Sequence, residues 1–202
     1  MITVKPPNPK YIPKPYEKMT FPGERVQVDV KVVPAACIAG DAKVNGDKYY
    51  QYTAIDEYSR FRFLMAFKEH NTYSSAIFAK ELVKRFPFEI KCIQTDNGLE
   101  FVKAFDERKK GKLSLFEKTL AQLGIKHKLI RPYTPRHNGK VERSHRKDNE
   151  YFYSIHKFIS FEDFKNQLYV HNRNYNNFPM RPLNWHTPKQ YIKDYLELGL
   201  LH

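Results

Sequence analysis

The chain has 202 residues, of which 41% are hydrophobic and 15% aromatic, enough for one ordinary hydrophobic core, while 28% are charged and keep the surface wet. Lysine and arginine number 35 against 22 acids, and the resulting formal charge of +13 suits a polyanionic partner, nucleic acid ahead of an anionic membrane surface. There is no apolar run of about 18 residues, no secretion signal in "MITVKPPNPK", and no metal-type or redox-type spacing around Cys37 and Cys92; a membrane span, a disulfide framework and a structural zinc site are therefore disfavoured, and a cytoplasmic location is expected.

Residues 1–22 interleave Pro6, Pro7, Pro9, Pro13, Pro15 and Pro22 with Lys5, Lys10, Lys14 and Lys18. Proline lacks the N–H that a helix needs, so this stretch reads as an extended basic arm or linker ahead of a core over residues 23–202. In "ERVQVDVKVV" Val26, Val28 and Val30 alternate with Gln27, Asp29 and Lys31, the two-residue period of a strand with an apolar and a polar face. The Gly/Asp/Asn-rich "AGDAKVNGDK" reads as a turn. "YYQYTAID" and "FRFLMAF", joined by "EYSR", read as two further strands of an antiparallel trio.

"TYSSAIFAKELVKRF" predicts a helix capped by Thr72 and stopped before Pro87. "EIKCIQTDNG" predicts a short buried strand opening into an Asp-Asn-Gly turn. A charged loop, "KAFDERKKGKLS", precedes a helix in "LFEKTLAQLG" closed by Gly124, and "IKHKLI" reads as a strand. After Pro132 and Pro135 a helix starts near Gly139; another lies in "SFEDFKNQLYVHNRNYN"; a last one has Thr187 as cap and Pro188 in its first position. The order β-β-β-α-β-α-β-α predicts an α/β architecture, a mixed five-stranded sheet flanked by helices.

Three acids stand out. Asp29 is mid-strand, Asp96 ends the fourth strand, and Glu142 sits in the first or second turn of a helix, where the positive dipole end favours a carboxylate. Singly they are weak signals, since an Asp before Gly often just makes a turn and Glu142 could pair with Arg146 one turn on, a contact worth about 0.2–0.5 kcal/mol. If the first and fourth strands are neighbours, the aspartates can share a cleft. Oxygen donors without His or Cys suit Mg²⁺ or Mn²⁺, which keep waters and take substrate phosphates as remaining ligands; two ions about 3.5–4 Å apart can serve an in-line phosphoryl displacement. The Arg and Lys residues around Glu142, in "RPYTPRHNGKVERSHRKDNEYFY", would then hold a DNA backbone.

"QVDV" at Asp29, "QTDNGLEF" at Asp96 and "TPRHNGKVERSHR" at Glu142, in that order, resemble the catalytic core of DDE transposases of bacterial insertion sequences, within the retroviral-integrase-like superfamily. The likeness runs over roughly residues 22 to 195. It implies a ribonuclease-H-like fold, Asp29, Asp96 and Glu142 as a triad holding two Mg²⁺ or Mn²⁺ ions, and DNA strand transfer with water and then a DNA 3′-hydroxyl as nucleophiles. It further implies DNA contacts at Asn138, Lys140, Arg143 and Arg146, an Asp96 oriented by Asn97 and Gly98, and Glu100 as a neighbour rather than a ligand. Element ends and target DNA would be the partners, bound by a homo-oligomer at the bacterial nucleoid, and "TPKQY" matches the helix start that often ends such cores. The interval from Asp96 to Glu142 is longer than in retroviral integrases, with "KAFDERKKGKLS" the natural place for the extra residues. Neither a zinc module nor an upstream helix-turn-helix is visible. A hydrolysis-only nuclease and a catalytically inactive, domesticated DNA-binding domain are the competing readings.

Other conspicuous residues read as structural. Asp56 and Glu57 look like turn acids, Asp148 and Glu150 like surface helix charges. Trp185, Tyr151, Phe152 and Tyr153 look like core or interface filler, and His137 fits a DNA contact and a structural role equally.

Overall fold

The computed structural model describes residues 17–103, 112–130 and 138–199. Most of the proline-rich arm, the inserted charged loop at 104–111 and the segment containing His137 lie outside them. Alternation builds three antiparallel strands, β1 (Val26–Val32), β2 (Tyr50–Asp56) and β3 (Arg62–Phe67), followed by β4 (Cys92–Thr95) and β5 (Lys126–Leu129). The sheet order is β3-β2-β1-β4-β5. β1 is central, antiparallel to β2 with Asp29 opposite Thr53, and parallel to β4 with Gln27 beside Gln94. The first and fourth strands are thus neighbours, as the shared cleft requires.

Because side chains alternate across a strand, β1 sends Val26 and Val28 into one core with Tyr52, Phe78, Leu82, Ile93, Phe116 and Leu120. Helices α2 (Thr72–Arg85) and α3 (Leu115–Gln122) supply that layer, and each such large apolar side chain contributes about 1.5–3 kcal/mol by burial. A second core, with Tyr49, Leu64, Phe152, Phe158, Phe164 and Leu168, lies between the sheet and α5 (Phe161–Asn176). Helix α4 (Gly139–Asp148) runs on through a π-helical turn, Asn149–Tyr153, and packs on β1 and β2; α6 (Pro188–Gly199) follows α5. Among the described residues no helix is long and apolar enough to cross a membrane.

Several local expectations are corrected. The Gly/Asp/Asn-rich connection contains a short helix, α1 (Gly40–Val44). Asn71, not Thr72, caps α2, its side chain accepting from the backbone N–H of Tyr73 and Ser74, while the Thr72 hydroxyl accepts from Phe116 N–H and ties α2 to α3. Asp56, Glu57 and Asp148 are buried, not solvated. Of the four aromatics, Phe152 and Tyr153 are core, whereas Tyr151 and Trp185 are exposed. The expected cap of the last helix is present, Thr187 accepting from Gln190 N–H on α6, and α3 starts in a capping box at Ser114 that the sequence reading does not name.

Candidate active site

Asp29 stands mid-way along β1 on the face opposite the main core, its side chain 22% exposed. One oxygen accepts from Val30 N–H at 2.8 Å. Burial pushes the Asp29 carboxyl up to about 7; the Asp96 carboxylate adds to this, the Val30 N–H opposes it, and Glu100 and Glu142 raise it further. Charge from all three acids therefore falls on one carboxylate. An anion pressed this way gains most from a cation.

Asp96 leaves the end of β4, where the Asn-Gly turn folds back so that Gly98 N–H donates to Asp96 Oδ1 at 3.0 Å. Asn97 donates to Ile130 O at 3.3 Å and anchors the turn to the end of β5. Burial raises the Asp96 carboxyl, Gly98 opposes it, Glu100 raises it again and His70 lowers it. Glu100 is itself buried, 2.7 Å from His70 Nε2. Its carboxylate lies over the α-carbon of Gly98, where an added Cβ would meet it at 2.4 Å; the glycine admits the acid. Sequence reading treats Glu100 as a neighbour, and the structure places it inside the field of the site.

Glu142 comes from the first turn of α4 and is exposed. One turn on, the His145 ring lies between β1 and β2, its Nε2 2.9 Å from Thr53 Oγ1 and its Nδ1 3.4 Å from Asp29 Oδ2. Burial drives the His145 imidazole down to about 4, with Asp148 opposing and Lys31 and Arg62 assisting. Burial thus favours the neutral ring, and its contact with Asp29 is not an ion pair. Among the described residues no three His, Cys, Asp or Glu side chains stand close enough to hold a cation on their own. The three acids share one electrostatic neighbourhood in an open arrangement.

Both ends of α4 are fixed to the sheet. At the start, Gln27 Oε1 accepts from the backbone N–H of Lys140 and Val141 at 3.0 and 3.1 Å. At the end, Asp148 meets the Arg62 guanidinium from β3 at 2.8 Å, and Arg62 also donates to Ser144 Oγ at 2.8 Å. Gln51 and His171 add hydrogen bonds to Asp148 at 2.8 and 2.7 Å. The face of β1 and β2 carrying Gln27, Asp29, Gln51 and Thr53 is roofed by this helix; sequence alternation marks the β1 part of it only as polar.

The four residues expected at DNA divide into two groups. Asn138 is buried, and the Lys140 ammonium is held 2.9 Å from the Glu57 carboxylate. Arg143 and Arg146 are exposed beside Glu142. Arg143 and Arg146 thus face solvent, whereas Lys140 is tied to Glu57 and Asn138 is buried at the start of α4.

A mixed five-stranded sheet in this order, flanked by helices, defines a ribonuclease-H-like protein with the architecture of retroviral integrase catalytic cores. The chain belongs to the integrase core domain family, which it matches over residues 20–135 and, in a second form of that domain, over 123–188. That membership agrees with the resemblance to the retroviral-integrase-like superfamily read from its three motifs. It is similar to the putative integrase ORF3 of Spiroplasma virus SpV1-C74, 28% identical over 153 residues, covering 72% of this chain and 42% of that protein. The retrovirus-related Pol polyprotein from transposon RE2 of Arabidopsis thaliana is 35% identical over 103 residues, 50% of this chain and 6% of the polyprotein. The chain thus spans less than half the length of these relatives. Among solved structures, the catalytic core domain of BIV integrase superposes with a TM-score of 0.60 at 17% identity, covering 88% of this chain and 99% of its own. A chain of a simian T-cell lymphotropic virus intasome gives 0.64 at 17%, over 92% of this chain and 60% of the other. At such identities these two speak for the fold.

Proposed function

We propose that this protein is a metal-dependent polynucleotidyl transferase that joins DNA 3′-hydroxyl ends to target DNA, as in transposition or integration, with Asp29, Asp96 and Glu142 as its acidic triad. The observation that carries this reading is the parallel pairing of β1 with β4, which sets Asp29 and Asp96 on adjacent strands, with the charges of Asp96, Glu100 and Glu142 all bearing on the buried Asp29 carboxyl. The donor set fits a hard cation: it is all oxygen, anionic, and open enough for waters and substrate phosphates to complete the coordination. Two Mg²⁺ or Mn²⁺ ions held there would activate the attacking oxygen and stabilise the leaving one in an in-line displacement.

The chain's own residues supply position. Asp29 and Asp96 come from adjacent strands whose spacing the sheet fixes, and Glu142 comes from a helix tied to the same sheet at both ends. Arg143 and Arg146 line the exposed side of that helix as phosphate holders, while Lys140 and Asn138 act chiefly by seating it. Water first breaks a phosphodiester and frees a 3′-hydroxyl; that hydroxyl then attacks a target phosphodiester, its new P–O bond replacing the one lost to the target's leaving 3′-oxygen. No protein nucleophile is needed. Acting on two DNA ends calls for a homo-oligomer.

Incubation of the protein with pre-nicked and blunt element-end DNA, a target plasmid and Mn²⁺ tests this reading. Joined plasmid products are expected, at a higher yield from the pre-nicked ends, which enter at the second step. Cleaved ends without joining would make the protein a nuclease. Unaltered DNA with salt-sensitive binding retained would make it a binding domain, since phosphate contacts give such affinity with or without chemistry.

A further inference from the structure

We propose that Gln27 and Glu57 form a positioning bridge that sets the stance of Glu142 relative to Asp29. This rests on the triad reading above and names residues through which the site is assembled. The residue before helix α4, Asn138, makes no side-chain cap bond, so the first N–H groups of the helix look elsewhere for acceptors. Gln27 provides one: its Oε1 takes the N–H of Lys140 at 3.0 Å and of Val141 at 3.1 Å, the two residues immediately before Glu142.

Gln27 and Asp29 occupy the same face of β1 two positions apart, about 7 Å along the strand. One strand therefore carries both the first acid and the acceptor that holds the helix bearing the third. The amide cannot turn over freely, because Gln27 Nε2 donates to Glu57 Oε1 at 2.9 Å, which aims the oxygen at the helix. Glu57 lies in the turn between β2 and β3 with its side chain fully buried. It accepts from Arg25 Nε at 2.7 Å and lies 2.9 Å from Lys140 Nζ, so the same carboxylate grips the first turn of α4 through a side chain as well as through Gln27. A buried carboxylate beside the positive end of a helix is favoured there by the dipole.

The far end of α4 is anchored separately, by Arg62 on Ser144 and Asp148. Loss of the bridge should therefore loosen the first helical turn, where Glu142 is, and leave the rest of the helix docked.

The test is direct Mn²⁺ titration by calorimetry, without DNA, on wild type, Gln27→Met, Glu142→Gln and the double variant, with amide hydrogen exchange read at Lys140 and Val141. Gln27→Met keeps the volume and removes the acceptor; Gln27→Ala serves in its place should the first not fold. Faster exchange at the two amides and about 10–100-fold weaker Mn²⁺ binding are expected, in the range typical of residues that orient metal ligands. In the Glu142→Gln background the same substitution should add little, because the residue it positions no longer ligates. Equal losses in both backgrounds would reduce the bridge to a general structural role and overturn the proposal. Unchanged affinity in Gln27→Met beside a loss in Glu142→Gln would overturn it alone, and unchanged affinity in Glu142→Gln would overturn the triad reading together with it.

Discussion

Asp29→Asn, Asp96→Asn and Glu142→Gln should each lower the rate of DNA joining by about 10³-fold or more while the protein remains folded and still binds DNA. That factor corresponds to about 4 kcal/mol of lost transition-state stabilisation, within the several kcal/mol a metal ion supplies to a phosphoryl displacement. The substitutions keep shape and remove charge. An asparagine oxygen can still accept from Val30 N–H at position 29 and from Gly98 N–H at position 96, so the strand and the turn survive. Glu142 is exposed on α4, and its amide disturbs no packing. Relieving repulsion on Asp29 should even steady the fold slightly. Single-turnover joining with pre-nicked ends reads the chemical step, and a rate within threefold of wild type in any one variant would remove that acid from the triad. A related pH effect follows from Asp29: with its carboxyl raised to about 7 in the cation-free protein, protons compete with Mn²⁺, and metal affinity should climb as pH rises through that value.

Asp148→Ala should cost about 3–5 kcal/mol of stability, because it strands the Arg62 guanidinium in the interior. The two side chains are 0% and 1% exposed at 2.8 Å. Arg62 is packed besides against the Tyr175 ring, 3.8 Å from its centroid, so it cannot swing out to water without unpacking α5. In a chain of this length the loss lowers the melting temperature by about 10 °C. The companion variant, Arg62→Met with Asp148→Leu, removes both charges and should recover much of the loss. The pair also sets a pH dependence. Burial pushes the Asp148 carboxyl up, but Arg62, His171 and Gln51 outweigh it and hold the group well below its usual range. A carboxyl depressed on folding stabilises the protein above its unfolded pKa of about 4 and loses that contribution as pH falls below it. Chemical denaturation at pH 7 and pH 3 on wild type and Asp148→Ala checks both statements, and the gap between the two proteins should narrow at pH 3.

What the sequence discloses and what it hides differ for a physical reason. The strand alternation around Asp29, the Asp-Asn-Gly turn and the basic helix with Glu142 are local patterns, and each reappears in the structure where its period or turn chemistry put it. Gln27 reads only as part of a polar strand face, Glu57 as a turn acid and Asp148 as a surface helix charge, since alternation marks a polar face without telling whether a helix covers it. Here α4 roofs that face, and the partners that make burial tolerable are far away in the chain: Gln27 with Val141, Arg62 with Asp148. Glu100 had one local clue, the glycine two residues before it, which only the folded turn connects to the carboxylate. The sequence reading names Thr72 as the α2 cap, whereas Asn71 caps the helix and Thr72 is used in a tertiary bond to α3.

The central claim is that acids from β1, the end of β4 and the start of α4 together hold the cations on which DNA joining depends. Anomalous diffraction at the manganese edge, from crystals equilibrated with Mn²⁺ near pH 8, puts it to the most direct test. The account predicts a peak within ligating distance of the Asp29 and Asp96 carboxylates, on the side facing Glu142, that disappears in crystals of Asp29→Asn. Manganese bound only elsewhere on the molecule at saturating concentration, or a peak indifferent to that substitution, would contradict it.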